Sequence, residues 1–545
     1  MRAEPGGAPA GPGEALARGR LRAAGPLALA GLGAALLGLA WANRFVQDDA
    51  YIAFRYARHL AEGLGPVFNA GERVEGYTSA LWVLLLAGAL RAGADPVAAS
   101  VALGLAAFLG SLLLTYRLAR SLGLSPAGAA TAVLVLGTNY SFSAYATGGL
   151  ETSLQACLAT AALALLAASE AAGRWSGRRL LALSLVGAAA LLTRLDAAVL
   201  LAPAGALALA DAARGAGRGG ERARRLALLL APGGAIVGGW FAWKLAYYGA
   251  VLPNTFHAKV DGVPPLVAGG YYLALFLMTY GLAPAVALAA GAPWPARRRT
   301  RLALWATLAL WAAYVVWVGG DFMEFRLWVP VLPLLLVLVV GAVWTLAHRP
   351  LWRVLVPAAL VACSAFHAVT QDLPHLVEPV RDLGAHVGRH WGPAGRALRR
   401  AFPDGGVRIA TTAAGALPYL SRLETVDMLG LNDAWVARHG RPHRGRPGHQ
   451  RLAPLAYLQR RHVHLLIGNP AVVAGDEPPF TREEWAGVLF GELIYEAPPG
   501  ARFVEIPLED GRKLVVVQLE PNAAVERAVR RHGWRAYPIR ARGAA

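Results

Sequence analysis

A polytopic α-helical membrane protein followed by a folded α/β domain is the class that this sequence predicts, on three observations. Of its 545 residues, 56% are hydrophobic and only 16% charged, too apolar a balance for a water-soluble chain of this size. Runs such as PLALAGLGAALLGLAWA and VPVLPLLLVLVVGAVWTLA approach the roughly 20 residues that a helix needs to cross the hydrocarbon. Beyond residue 370 the pattern changes: residues 371–545 hold 24 Lys/Arg and 18 Asp/Glu, and their apolar runs are too short to span.

The elements follow in order. The Gly/Ala-rich residues 1–23 read as a disordered cytoplasmic tail, and the run at 24–43 as a retained first span, because no small-residue cleavage site follows it. Further spans fall at 98–116, 126–142, 153–169, 180–192, 196–210, 226–247, 268–292, 301–318, 328–347 and 354–370, giving about eleven crossings within a transmembrane domain of 24–370. Basic clusters alternate with them: Arg18, Arg20 and Arg22, then Arg117/Arg120, Arg174/Arg178/Arg179, Arg214 to Arg225, Arg297 to Arg301 and Arg349/Arg353. Basic loops stay in the cytoplasm, which puts the first external loop, 44–78, and the 371–545 domain on the periplasmic side. The apolar stretch 79–93 is left over, and a re-entrant or interfacial segment is expected there. The net charge of +19 is thus a topology signal, and no nucleic-acid surface is expected.

Within 371–545, VRIATTAAGALPYL reads as a strand, a tight turn and a short helix, VHLLIG as a buried strand, and FVEIPLEDGRKLVVVQLE as a hairpin turned at Asp510-Gly511. The only cysteines, Cys157 and Cys363, lie in apolar runs, so neither a disulfide framework nor a cysteine metal site is expected.

The candidate chemistry lies at the outer span ends. VQDDAYIAFRYARHLAEGLGPVFNAGERVEGYTSALW, from Val46 to Trp82, sets Asp48 beside Asp49 directly after the first span, where carboxylates are costly and commonly functional. One aspartate, Asp49, suffices to cap the helix that starts here. Two adjacent carboxylates offer a shared proton, a divalent-ion site with Glu75 nearby, or a base beside a charge stabiliser. Ile52, Ala53, Tyr56, Ala57 and Leu60 fall on one arc of that helix and Arg55, Arg58 and His59 on the other. The helix is therefore expected to lie flat, apolar side in lipid, with its arginines at phosphate depth. Four more outer segments carry polar residues: TGGLETS with Glu151, LTRLD with Arg194 and Asp196, LPNTFHAKV with Asn254, His257 and Lys259, and GGDFMEFRLWVP with Asp321, Glu324 and Arg326. Singly, each reads as a snorkelling anchor or a satisfied surface residue. Gathered round one external mouth, they fit an anionic lipid-linked substrate.

DDAYIAFRYARHLAEGLGPVFNAGERVEGYTSALW, ATGGLETS, LTRLDA, LPNTFHAK, GGDFMEFR and IATTAAGALPYLSRLETVDMLGLND resemble, in this order, the bacterial membrane glycosyltransferases that include the terminal β-(1→2)-arabinofuranosyltransferase of mycobacterial cell walls. The resemblance runs from Asp48 to Asp433, and relatives in this broad family are also labelled flagellar motor control proteins. It implies a GT-C fold in the bacterial cytoplasmic (inner) membrane, with a periplasmic C-terminal domain. It further implies transfer of a sugar, arabinofuranose or another pentose or hexose, from a polyprenyl-phosphate donor to a cell-envelope glycan acceptor. On that resemblance Asp48 and Asp49 match the acidic pair that activates the acceptor hydroxyl. After Asp433 the basic stretch ARHGRPHRGRPGHQR begins a region that matches no sugar-binding module, so the acceptor stays open.

Such a reaction needs a carboxylate to take the hydroxyl proton, here Asp48 or Asp49, and cations for the leaving phosphate. His257, Lys259 and Arg326, with Arg55 or Arg58, are the phosphate candidates. Arg194, Asp196, Asp321, Glu324, Glu75 and Glu151 stand in a second rank. No cofactor is required, a divalent cation is left open, and no Gly-rich phosphate loop calls for a nucleotide. A transporter would carry its charges mid-span, where only Lys244 lies. A non-catalytic scaffold for envelope or flagellar-motor assembly would tolerate loss of Asp48 and Asp49.

Overall fold

Helix starts follow short sequence signals. Asp95, Ser125, Asn139 and Ser176 each accept, through the side chain, a backbone N–H three residues on, and proline follows the first two caps directly. The computed structural model describes residues 12–214, 219–259, 265–293, 296–374, 376–443 and 449–541, the side chains of 12–26 and 219 excepted. The helical part comprises α1 (Pro12–Ala42), α2 (Asp48–Ala61), α3 (Ala80–Arg91), α4 (Pro96–Ser121), α5 (Pro126–Gly137), α6 (Tyr140–Ala144), α7 (Thr152–Ala171), α8 (Gly177–Thr193) and α9 (Ala197–Ala213). It continues with α10 (Gly219–Tyr248), α11 (Asn254–Lys259), α12 (Leu266–Thr279), α13 (Leu282–Gly291), α14 (Arg298–Trp317), α15 (Leu332–Leu346) and α16 (Trp352–Thr370). A 3-10 turn, Arg326–Val331, leads into α15. Residues 12–23, expected within a disordered tail, belong to α1, while 1–11 lie outside the described residues.

Among the described residues, six helices are long and apolar enough to cross a membrane, and seven if the bent pair α12/α13 counts as one span. The apolar part of α1, α5 and α9 are shorter, so the expected count of about eleven full crossings is not reached by length. The span expected at 268–292 is broken. Its two helices meet at 92°, because Gly281 between them takes a φ of 61°, a left-handed conformation open to glycine. α3, in the stretch expected not to cross, has 12 residues and reaches roughly 18 Å, short of the ~30 Å core. α15 sits at the centre: Leu332 to Val343 are buried without a gap, which suits a helix apolar all round.

After α16 the chain forms α17 (Val380–Ala385), a π-helical turn (His386–Trp391) and α18 (Gly392–Ala401), then a six-stranded sheet. Its order is β2-β1-β5-β7-β6-β8, from β1 (Arg408–Thr411), β2 (Glu424–Asp427), β5 (Leu465–Ala474), β6 (Arg502–Pro507), β7 (Arg512–Gln518) and β8 (Ala536–Pro538). β2, β1 and β5 pair in parallel and the rest antiparallel. Alternate residues face opposite sides: Phe503, Val515 and Val517 enter one core, and Val504, Ile506, Leu514 and Val516 the other. β3 (Arg441–Pro442) and β4 (Arg451–Leu452) pair antiparallel as a separate two-stranded sheet.

Against expectation, α2 does not lie with one face in lipid. Ile52, Ala53, Tyr56 and Ala57 are buried, but so are Arg55, Arg58 and His59, because the C-terminal domain covers the polar face. Its helix α19 (Ala416–Ser421) packs directly on α2.

Candidate active site

Asp48 is held by the C-terminal domain. Its Oδ1 accepts the Ala416 N–H at 2.7 Å and its Oδ2 the Gly415 N–H at 3.1 Å, so it caps α19. It does not cap α2, whose own N-cap, Gln47, makes no side-chain capping bond, and the capping role expected of Asp49 is likewise not seen. Position 415 must be glycine for this approach: a Cβ there would lie 2.0 Å from the Asp48 backbone oxygen. Burial pushes the Asp48 carboxyl up to about 7, against the pull of the two N–H groups.

Arg55 and Arg58, expected at headgroup depth, are bound to the same strip. Arg55 donates to the Phe68, Pro418 and Leu423 carbonyls and to Asn69 Oδ1 at 2.6–3.2 Å, with its guanidinium over the Phe68 ring. Arg58 donates to the Tyr419 carbonyl at 3.0 Å and lies over that ring. Asn69 brackets Thr425 through both its N–H and its carbonyl. Charge-assisted bonds of this kind stabilise by about 1.5–3 kcal/mol each, so α2 is the seat of the domain.

Asp49 differs. It is half-buried and, among the described residues, has no hydrogen-bond partner. The charges that act on it are Lys259, Arg326, Asp321 and His449, supplied by α11, by the loop and turn before α15, and by the C-terminal domain. Burial raises its carboxyl above the ordinary range, while Lys259 and then Arg326 draw it down. Lys259 is solvent-exposed, yet surrounding protein lowers its ammonium and Asp49 raises it. Arg326 is paired with Asp321 through two nitrogens at 2.7 and 2.8 Å.

The remaining candidates divide by what they touch. Arg194 joins Glu151 at 3.0 Å and Asp196 at 2.6 Å, and Gln155 and Tyr314 donate to Asp196. Arg194 acts electrostatically on Lys259. Glu75 pairs with Lys244 at 2.6 Å, and its carbonyl accepts the Asn254 N–H at 2.9 Å, fixing the start of the short helix that ends in Lys259. Glu324 is fully buried among Ser141, His367 and the Val380 N–H and serves the fold. His257 is not brought to Asp49. Burial lowers its imidazole and its charged neighbour is Arg438, on α20 (Ala434–His439). Among the described residues no three His, Cys, Asp or Glu side chains are grouped to hold a metal ion, so the divalent site considered for the acidic pair and Glu75 has no ligand cage.

His449 was missed. It lies in the basic stretch after Asp433, whose composition gives no spacing to interpret, and only the fold carries it to Asp49. The part of that stretch at 444–448 lies outside the described residues.

A family described as a domain of unknown function (DUF8728) matches residues 383–513. The terminal β-(1→2)-arabinofuranosyltransferase of Mycobacterium tuberculosis is 31% identical over 257 residues, 44% of this chain and 39% of that protein. Its counterpart in Corynebacterium glutamicum is 55% identical over 42 residues, 8% and 6% of the two chains. The chain thus spans about two fifths of the first of these relatives. The crystal structure of ArnT from Cupriavidus metallidurans bound to undecaprenyl phosphate superposes with a TM-score of 0.55 at 16% identity, over 90% of this chain and 97% of that one. The arabinofuranosyltransferase AftD from mycobacteria gives 0.50 at 17% identity, over 91% and 41%.

Proposed function

We propose that this chain, which has the GT-C fold and resembles the terminal arabinofuranosyltransferases in sequence, is a glycosyltransferase. It takes a sugar from a polyprenyl-phosphate donor and places it on a hydroxyl of a cell-envelope glycan. Its proposed setting is the bacterial cytoplasmic membrane, with Asp49 and the C-terminal domain on the periplasmic side. Supporting the donor class, the ArnT structure of the same fold holds undecaprenyl phosphate.

One observation carries the reading: of two adjacent carboxylates, Asp49 alone is without a hydrogen-bond partner among the described residues, and it lies in the field of Lys259 and of the paired Arg326 and Asp321. In the proposed step, the acceptor hydroxyl gives its proton to Asp49 as its oxygen bonds to the anomeric carbon. The bond from that carbon to the phosphate oxygen breaks, and both electrons leave with the lipid phosphate. Lys259 and Arg326 meet the charge that develops there. Asp321 fixes the Arg326 fork, and the Arg194 network sets the field behind it. Asp48 holds the domain that closes the site.

The test is incubation of the purified protein with a panel of polyprenyl-phosphate sugars, following free lipid phosphate and glycosylated acceptor by mass spectrometry. Release from at least one donor is expected. No release from any donor, with folded protein and glycan acceptors present, overturns the reading.

A further inference from the structure

Asn254 opens α11, the short helix that ends in Lys259, and the proposed step gives it no part. It is nonetheless buried, with the α2–α3 loop on one side and the C-terminal domain on the other. Its backbone N–H donates to the Glu75 carbonyl at 2.9 Å. Its side-chain amide donates to the Gly430 carbonyl at 2.8 Å and to the Leu431 carbonyl at 3.0 Å, and its Oδ1 accepts from Arg438 at 3.2 Å. Arg438 lies on α20, which packs directly on α11.

Both sides of this junction are held. Glu75 is tied to Lys244 of α10 at 2.6 Å. Opposite it, the Asp427 carboxylate accepts the Leu429 N–H at 3.0 Å and both the backbone N–H and the side-chain amide of Asn432 at 2.9 Å, which bends 427–432 into a tight turn. Gly430 takes a φ of 80° within it, a left-handed conformation open to glycine, and a Cβ there would lie 2.6 Å from the Ala437 nitrogen of α20. The turn thus sets two successive carbonyls toward one amide. An apolar side chain of similar size would fill the space but leave both carbonyls without that donor, and an aspartate would set a carboxylate against them.

We propose that Asn254 is a positioning residue for Lys259: through its side-chain amide the seated C-terminal domain fixes α11, and with it the lysine at the far end of that helix. The inference rests on the reading of Lys259 as a cation that meets the donor phosphate. The six residues of α11 are too few to hold a helix by themselves, so its order comes from its neighbours. The domain then touches the site twice: α19 seats on Asp48, and the 427–432 turn holds the helix of Lys259.

Hydrogen exchange of the full-length protein in nanodiscs, read by mass spectrometry, follows α11 and α19 separately and needs no donor. In Asn254→Leu the amides at the end of α11, Ala258 and Lys259, are expected to exchange roughly tenfold faster while α19 is unchanged. Equal loosening of α11 and α19 overturns the proposal, because Asn254 would then only hold the domain down, and so does no loosening at either. A kinetic cycle with the polyprenyl-phosphate donor is the second measurement. Asn254→Leu should lower donor kcat/KM about tenfold, but by less than about twofold once Lys259→Ala is present, since an absent side chain cannot be misplaced. Losses that multiply in the double variant overturn the proposal. Local loosening of α11 in a protein that turns over no donor supports the link from Asn254 to Lys259 and counts against the transferase reading alone, so the two failures are told apart.

Discussion

Asp48 and Asp49 are neighbours of one residue type, yet the structure gives them opposite surroundings. The Asp48 face of α2 meets a strip of backbone, residues 415–425, which supplies two N–H donors to Asp48 and carbonyl acceptors to Arg55 and Arg58. The Asp49 face meets side-chain charges from three other parts of the chain and no fixed bonding partner among the described residues. A buried charge satisfied by backbone groups is committed to the fold, whereas a half-buried one left facing cations is available to a ligand. A single helix therefore separates the seat of the C-terminal domain from the proposed chemistry by about 100° of rotation per residue.

That contrast is breakable at several points. Asp49→Asn keeps the shape but removes the proton acceptor, so the transfer rate is expected to fall roughly 10²–10⁴-fold at unchanged thermal stability. Asp48→Asn, by contrast, should lose stability by about 1–3 kcal/mol, because one of the two N–H groups loses its acceptor, with rate changes confined to that loss of seating. Equal rate losses in both variants would erase the distinction.

At the next level, Lys259→Ala and Arg326→Ala each remove a charge proposed to meet the donor phosphate and should weaken use of the donor about ten- to a hundredfold. Arg55→Ala should leave donor kinetics alone while lowering the unfolding temperature, and the reverse pattern would return Arg55 to the phosphate. Gly415→Ala tests the seat without touching a charge. Its Cβ would fall 2.0 Å from the Asp48 oxygen, so limited proteolysis is expected to release the C-terminal domain faster than in the wild type.

The smallest effect is in pH. Burial holds the Asp49 carboxyl above its ordinary value of 3.8, and the base function proposed for it needs the ionised form. Activity is then present at higher pH and lost as pH falls through that raised value. The acid limb of kcat/KM should lie above the ordinary carboxylate range of about 4; a limb at or below it contradicts the assignment.

Much of this was legible in the chain. Period-two alternation and the Asp510-Gly511 turn marked the β6–β7 hairpin, and charged residues at span ends singled out Asp49, Lys259 and Arg326, whose charges the fold sets against one another. Which aspartate faces which surroundings was not legible, because the partner of Asp48 lies 367 residues away. Helical periodicity likewise showed that Arg55 and Arg58 share a face, but periodicity says nothing about what covers that face. The α12/α13 break rests on the backbone of one glycine inside an apolar run, where composition signals only continued hydrophobicity. His443 and His449 sit in a stretch without a period, and only the pairing of β3 with β4 assigns them a place.

Chemical rescue by azide is the most direct measure of whether Asp49, and not Asp48, is the base. Azide is a nucleophile that needs no proton removed, so it can attack the anomeric carbon without help and release the same lipid phosphate. In Asp49→Ala, added azide should restore release of lipid phosphate and yield the glycosyl azide, while Asp48→Ala, assayed where it remains folded, should gain nothing. If azide leaves Asp49→Ala inactive, or restores Asp48→Ala as well, the division of roles between the two aspartates is wrong.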